Sequence, residues 1–299
     1  NCAISNIRFK IEVKQVHTLV LVAAMSTCSL ASPVNQTSDH QPPFTHRSET
    51  KTKHPKLKSD IRVQNGEDDT TDKYPYVVAV LLENKYKTCS GTAILPTWVL
   101  SSAHCKSPFY VQYGDMTVAR ENITLVTEIL KVIKHPSYRS YQNAPKSTTY
   151  NDIGLMFVQE IKLQSVAELS ALDYRTLLGY EVEYAGYGMT HLSDIGTLID
   201  HQKPLQIGRG MIGSCKDVQV LLIFNPKLCV VPQCKTSQSA LPGDSGGPVL
   251  VDGKVVGINV GIVYTSMISI FTPLSPYLAW IYKVISYKPC HCVTTINIY

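Results

Sequence analysis

From residue 75 onward the chain sets short apolar, β-branched runs between clusters of turn-forming residues. The runs are "YVVAVLL" before "ENK", "GTAILPTWVLSSA", "DIGLMFV", "VEYAGYG" and "GPVLVDGKVVGINVGI". Their length and composition predict strands. Asp252-Gly253 lies between two apolar runs and predicts a two-residue hairpin, because both residues tolerate positive φ. "YLAWIYKVI" at 277–285 places Leu278, Ile281 and Ile285 on one helical face, so a single helix closes the pattern. Many short strands with one late helix predict a β-barrel or sandwich.

The first 62 residues follow other rules. Residues 18–24, "TLVLVAA", form a short apolar run after Arg8, Lys10 and Lys14, and "SLA" at 29–31 offers small residues for cleavage, so 1–31 reads as a signal peptide. A buried strand is the alternative, although no turn signals flank the run. Residues 32–62 are rich in Ser, Thr, Pro, His and Lys and cannot bury enough surface to offset ordering entropy. They read as a flexible pro-segment before a domain at 63–299.

Composition sharpens this division. The sequence has 299 residues, 44% of them hydrophobic, and a formal charge of +5. The first 62 residues carry 9 Lys+Arg against 4 Asp+Glu, while 63–299 carry 19 against 19. A neutral body with a basic leader excludes nucleic-acid binding through a charged folded face. The leader's apolar run is too short for stable membrane insertion. Nine cysteines in a chain with an export signal point to disulfides and an extracellular location. Loss of Cys2 and Cys28 with the leader leaves an odd seven, and the sequons at Asn35 and Asn122 permit glycosylation.

The chemistry centres on "GDSGGP", residues 243–248. A serine hydroxyl needs a base within hydrogen-bond reach and a third group to orient that base. Gly243, Gly246 and Gly247 allow a tight turn around Ser245 with amides free to face an oxyanion. The string also satisfies G-x-S-x-G, but an esterase of that type has its acid and histidine after the serine. Here only Asp252, in a hairpin, and His291, near the end, follow Ser245. Upstream, "VLSSAHC" sets His104 at the end of an apolar strand beside Cys105, and "YNDIGLMFV" sets Asp152 at the mouth of another. Singly, Asp152 could cap a turn and His104 could be an ordinary surface residue. Together, the order His104, Asp152, Ser245 suits a nucleophile, base and orienting acid.

On "SSAHC", "NDIGLM" and "GDSGGP", with "PYVVAVL", "HPSY", "AGYG" and "FTP" in support, residues 63–286 resemble a trypsin/chymotrypsin-like serine protease. The resemblance implies an all-β fold of two packed six-stranded antiparallel β-barrels with a C-terminal helix and a cleft between the barrels. It implies Ser245 as nucleophile, His104 as base then acid, Asp152 as orienting group, and backbone N–H groups of Gly243 and Ser245 as the oxyanion hole. It further implies a zymogen cut at Arg62–Val63 by a trypsin-like activator, after which the Val63 ammonium pairs with Asp244. Gly66 matches the family's cut-site motif, whereas Gln64 and Asn65 depart from it.

By the same resemblance the pocket base is Ser239, with Ser269 nearby and Asn259, Val260 and Gly261 as the substrate strand. An uncharged base favours an apolar or neutral residue before the scissile bond. Cys89–Cys105 and Cys215–Cys229 are the implied disulfides. Leu241, and the pair Val182 and Val251, stand where relatives carry further bridges; Leu241 marks a substituted bridge, and packing of Val182 against Val251 would replace the second. Cys234, Cys290 and Cys292 have no assigned partner. The expected partners are protein or peptide substrates, an activating protease and protein inhibitors. The chemistry needs no metal or organic cofactor. The competing reading is a non-catalytic homologue that keeps the fold as a binding or signalling module.

Overall fold

The computed structural model describes residues 65–141, 148–189, 191, 193, 195–200, 202–215, 223–233 and 237–286. The expected signal peptide, pro-segment and cut at Arg62–Val63 lie outside these residues, as do Cys2, Cys28, Cys234, Cys290 and Cys292.

The first half runs through β1 (Glu67–Asp68), β2 (Val77–Leu81), β3 (Lys87–Leu95), β4 (Trp98–Ser101), β5 (Tyr110–Gln112) and β6 (Val126–Lys134). It continues with β7 (Arg139–Tyr141), β8 (Thr148–Tyr150) and β9 (Gly154–Val158). The second half holds β10 (Glu181–Gly186), β11 (Gln206–Gly213), β12 (Ile223–Asn225), β13 (Leu228–Pro232), β14 (Pro248–Val251), β15 (Lys254–Val263) and β16 (Ile268–Pro273), then helix α1 (Leu278–Ile285).

Strands β2-β3-β4-β9-β6-β5 close one barrel. In the second sheet the order β11-β10-β14-β15-β16-β13 closes through a β11–β13 pairing, with β1 added beside β11. Two six-stranded antiparallel barrels and a C-terminal helix are therefore present, as the sequence resemblance implies. Strand β2 is apolar at every position and buried at every position, and antiparallel neighbours β3 and β5 take its backbone groups. Helix α1 seats Ile281 in the core of the first barrel, where Leu274 and Tyr277 join it. The β14–β15 hairpin turns at Asp252 (φ 48°) and Gly253 (φ 75°), as their tolerance of positive φ predicts.

Strand β11 carries glycines for a packing reason. A Cβ on Gly208 would overlap the ring of Tyr184, its cross-strand partner on β10. A glycine leaves that volume to the aromatic ring, which is fully enclosed in the second barrel's core.

Two disulfides, Cys89–Cys105 and Cys215–Cys229, close loops with sequence separations of 16 and 14. Each is worth about 3 kcal/mol if loop entropy dominates. Leu241 is 2% exposed and packs in a cluster with Met189, Ile199 and Ile262, against which Met267 lies. Ile262 and Met267 belong to the β15–β16 hairpin, so apolar packing joins the Leu241 segment to it. Val182 and Val251 share the core of the second barrel. Their strands pair Glu183 with Leu250, and one further step of that register sets the two valines opposite each other.

Leu241→Ala should therefore cost about 2–5 kcal/mol of unfolding free energy. In a domain of this size Tm should fall by on the order of 10 °C. Urea and thermal denaturation measure this, and a loss below about 1 kcal/mol would show that the cluster does not replace a cross-link.

Candidate active site

His104 lies in the turn after β4, where Cys105 donates its N–H to the Ser102 carbonyl at 3.3 Å and is tied to β3 by its disulfide. Asp152 lies just before β9. The pairing of Ser101 with Gly154 brings the end of β4 to the start of β9, and so carries His104 to Asp152. Asn151 precedes the acid with φ at 51°, a left-handed conformation that asparagine tolerates. Its side chain donates to the Ser137 carbonyl at 2.9 Å and accepts from the Tyr277 hydroxyl at 2.9 Å, which fixes the turn that aims Asp152.

Ser245 sits in the glycine turn before β14, clamped between the barrels. Ser90 N–H on β3 donates to the Ser245 carbonyl at 2.8 Å, and Gly246 N–H donates to the Asn259 carbonyl on β15 at 2.8 Å. Gly246 has φ at 87°, and a Cβ there would overlap Ser101 Oγ and the Ser90 carbonyl. Ser90 Oγ also donates to the Gly243 carbonyl at 2.9 Å and accepts from Tyr187 N–H at 2.9 Å.

These three turns bring His104, Asp152 and Ser245 together. Asp152 is 2% exposed, and its Oδ1 accepts the His104 backbone N–H at 2.9 Å while Oδ2 meets Nδ1 at 2.7 Å. The buried carboxylate can only accept there, so Nδ1 carries the proton. Nε2 is left as the acceptor for Ser245 Oγ at 3.0 Å. The ring remains about one-third exposed, open to the cleft.

The Pro242 carbonyl accepts Met189 N–H at 2.8 Å. Because a trans peptide opposes its C=O and N–H, the Gly243 N–H points away from Met189. Neither Gly243 N–H nor Ser245 N–H has an acceptor among the described residues. Gly243 has φ at 95°, and a Cβ there would press on Ile199 and on the Gly188 backbone. The arrangement can thus pass a proton from the serine to the imidazole and present amide donors beside the same oxygen.

Asp244 is 2% exposed. Its oxygens accept Gly188 N–H and Leu241 N–H, both at 2.8 Å. No cation pairs with it among the described residues. Loss of hydration pushes its pKa up to about 7, against the opposing pull of the two amides. Gly186 and Gly188 of "AGYG" give it room, since a Cβ at either position would collide with Oδ1.

The expected pocket residues separate into two groups. Ser239 is fully buried, with Oγ lacking a partner among the described residues, and Ser269 Oγ accepts Ala240 N–H at 2.8 Å. Asn259 and Val260 face inward. The Asn259 carbonyl also accepts the Ser102 hydroxyl at 2.6 Å, its Oδ1 accepts Gly261 N–H at 3.2 Å, and Val260 packs on Ile270.

A bulge between Asn259 and Gly261 resets the register, pairing Gly261 with Ile270 and Ile262 with Ser269. Directly opposed residues share one face of a sheet. Ile262 therefore projects with Ser269 toward the 239–241 segment, consistent with its packing beside Leu241. Motif spacing missed Ile262; strand alternation counted from Ser269 would have found it. Cys89, His104 and Cys105 form the one grouping of potential metal ligands among the described residues, but both sulfurs are spent in the disulfide.

Residues 63–281 match the family model described as Trypsin. Trypsin II-P29 of Gallus gallus is 30% identical over 228 residues, covering 71% of this chain and 84% of its own. Trypsin of Xenopus laevis is 29% identical over 239 residues, covering 76% and 92%. Among solved structures, neuropsin, a serine protease expressed in the limbic system of mouse brain, aligns with a TM-score of 0.62 at 22% identity. That alignment covers 74% of this chain and 99% of neuropsin, and supports the fold. With the family's sequence pattern spanning both barrels and the cleft between them, the chain belongs to the trypsin family and is a serine endopeptidase.

Proposed function

We propose that Ser245, His104 and Asp152 carry out peptide-bond hydrolysis through an acyl-enzyme. The observation that carries this reading is the continuous chain from Ser245 Oγ through His104 Nε2 and Nδ1 to Asp152, at 3.0 and 2.7 Å. Ser245 Oγ attacks the substrate carbonyl as its proton passes to Nε2, and the buried carboxylate stabilises the imidazolium. Gly243 and Ser245 N–H groups hold the oxyanion. His104 then returns the proton to the leaving amine, and water repeats the sequence to free the acid product.

The protein is a secreted zymogen cut at Arg62–Val63 by a trypsin-like protease, with 1–31 as its signal peptide and 32–62 as its pro-segment. Asp244 supports the activation step: a buried carboxylate held by two amides is suited to receive the new Val63 ammonium. Among the described residues no helix is long and apolar enough to cross a membrane. Asn122 is exposed, which supports glycosylation there. Protein inhibitors would compete for the same cleft.

The substrate side chain before the scissile bond is small and neutral. Ser239 and Ser269 bring no charge, and Ile262 lies opposite Ser269 and packs beside Leu241, so its bulk would leave room for only a short side chain.

Three outcomes test these assignments. Ser245→Ala should lower kcat roughly a millionfold and abolish labelling by a serine-directed phosphonate. Asp152→Asn should cost about 10⁴ in kcat by favouring the wrong tautomer. Retained turnover in Ser245→Ala would remove this residue from the mechanism.

Asp244 predicts a pH dependence. Its folded pKa of about 7 lies above the ordinary 3.8, so the folded state binds more protons between those values and stability falls as pH rises through the window. Denaturation of the uncleaved protein, compared with Asp244→Asn, should reveal that fall. Cleavage should remove or reverse it, because the Val63 ammonium lowers the carboxyl pKa. The same slope in both forms would exclude the pairing.

In a peptide panel, Ala, Val, Ser or Thr should be preferred over Phe, Tyr and Arg by about tenfold or more in kcat/KM. Ile262→Gly should admit Phe and Tyr. Efficient cleavage after Arg by the unaltered protein would overturn the pocket assignment.

A further inference from the structure

A second concave site lies away from Ser245, where α1 crosses the outer face of the first barrel. Its volume is about 600 Å³, within the range of small-molecule sites. The barrel wall is a cross-strand row, because β4 pairs Trp98 with Phe157 and β6 pairs Lys131 with the same Phe157. Trp98 and Phe157 stack obliquely with ring centroids 5.1 Å apart, and Ile133 extends the row two residues beyond Lys131. The helix wall is Trp280, Lys283 and Val284, at the i, i+3 and i+4 spacing that aligns side chains on one face.

Its chemistry is specific. The aromatic and aliphatic side chains of the two walls are half-buried and apolar, and among the described residues no carboxylate lines the cavity. Each wall contributes one exposed ammonium, Lys131 or Lys283, and neither forms an ion pair among the described residues. Strands β4, β9 and β6 are each paired on both sides within the closed barrel. An extended peptide would therefore find no open strand edge for its backbone, and its amides would be desolvated without partners. A ligand that presents apolar surface and a single anionic group meets neither penalty.

We propose that this groove binds a free monocarboxylate with an apolar chain, a fatty-acid-like amphiphile. The chain lies along the Trp98–Phe157 row and Trp280, and the carboxylate faces Lys131 and Lys283. The site is independent of the catalytic assignment.

The chain contains two tryptophans, and both line this groove, so intrinsic fluorescence reads its occupancy directly. Titration of the full chain with decanoate, below the concentration at which it forms micelles, should give a saturable one-to-one change in tryptophan emission. Decanol should bind more weakly. Lys131→Gln combined with Lys283→Gln should weaken decanoate by roughly fivefold, as expected for two exposed charge contacts, and leave decanol unchanged. These substitutions are at exposed positions and should leave thermal stability and turnover of a peptide substrate unchanged.

An absent or non-saturable response would overturn the proposal. So would equal affinity for acid and alcohol, unaffected by the lysine changes, which would mark unspecific apolar adsorption. Tighter binding of an acidic apolar peptide than of decanoate would assign the groove to a protein partner instead. A decanoate response that develops only after truncation following Ser286 would assign it to the chain's own residues 287–299.

Discussion

Ser90 holds the turn that carries Ser245, the proposed nucleophile, to the first barrel, and the geometry of the cleft depends on that seam. This fully buried residue donates its N–H to the Ser245 carbonyl and its hydroxyl to the Gly243 carbonyl, and the same hydroxyl accepts from Tyr187 N–H. On the far side, β15 takes the Gly246 N–H through the Asn259 carbonyl. The turn is thus fixed by main-chain groups from two barrels together with the Ser90 hydroxyl. Close approach demands glycine at 246, since any Cβ would displace Ser101 or the Ser90 carbonyl. A loosened seam would move Ser245 relative to His104, whose position is fixed independently by β4 and the Cys89–Cys105 bridge. Small misplacements of reacting groups carry large losses of rate.

Two enclosed aspartates on this frame are handled differently. Asp152 is met by both N–H groups of one residue, His104, so its burial and the orientation of the imidazole are one interaction. Asp244 is met by two main-chain amides from separate segments, Gly188 and Leu241, and its pKa stays high because amides alone do not match the hydration it has lost. Asp244 is therefore the less satisfied carboxylate. It also joins the "AGYG" segment to the turn bearing the nucleophile, so its ionisation bears on the oxyanion loop.

The sequence shows the triad and the barrel class clearly because the chemistry imposes local backbone demands. Glycines flank Ser245, a cysteine anchors the His104 turn, and an asparagine takes the left-handed position before Asp152. The Asp252-Gly253 hairpin is legible for the same reason. Strand β11 is not, because Gly208 was selected for the ring of Tyr184 opposite it and reads locally as a loop. Strand β6 is obscured as well, since Leu130 and Val132 are exposed and break the alternation that marks a half-buried strand. Ile262 is missed by spacing counted forward from Asn259, because the bulge at Val260 shifts the register, whereas counting back across the hairpin from Ser269 recovers it.

That bulge connects two features that look separate along the chain. By the sequence resemblance Leu241 stands where relatives have a bridge, and its segment is joined to the β15–β16 hairpin by packing with Ile262 and Met267. Ile262 is also the residue opposite Ser269, on the face that packs against Leu241. A disulfide fixes two segments through one covalent bond, whereas apolar packing needs side chains that meet over a broader surface. Under the proposed pocket assignment, replacing the covalent tie by apolar packing therefore brings bulk to the wall of the primary pocket. On that assignment the support of the wall and the size of residue it would accept are set by the same side chains, and trimming Ile262 removes part of what holds the hairpin in place.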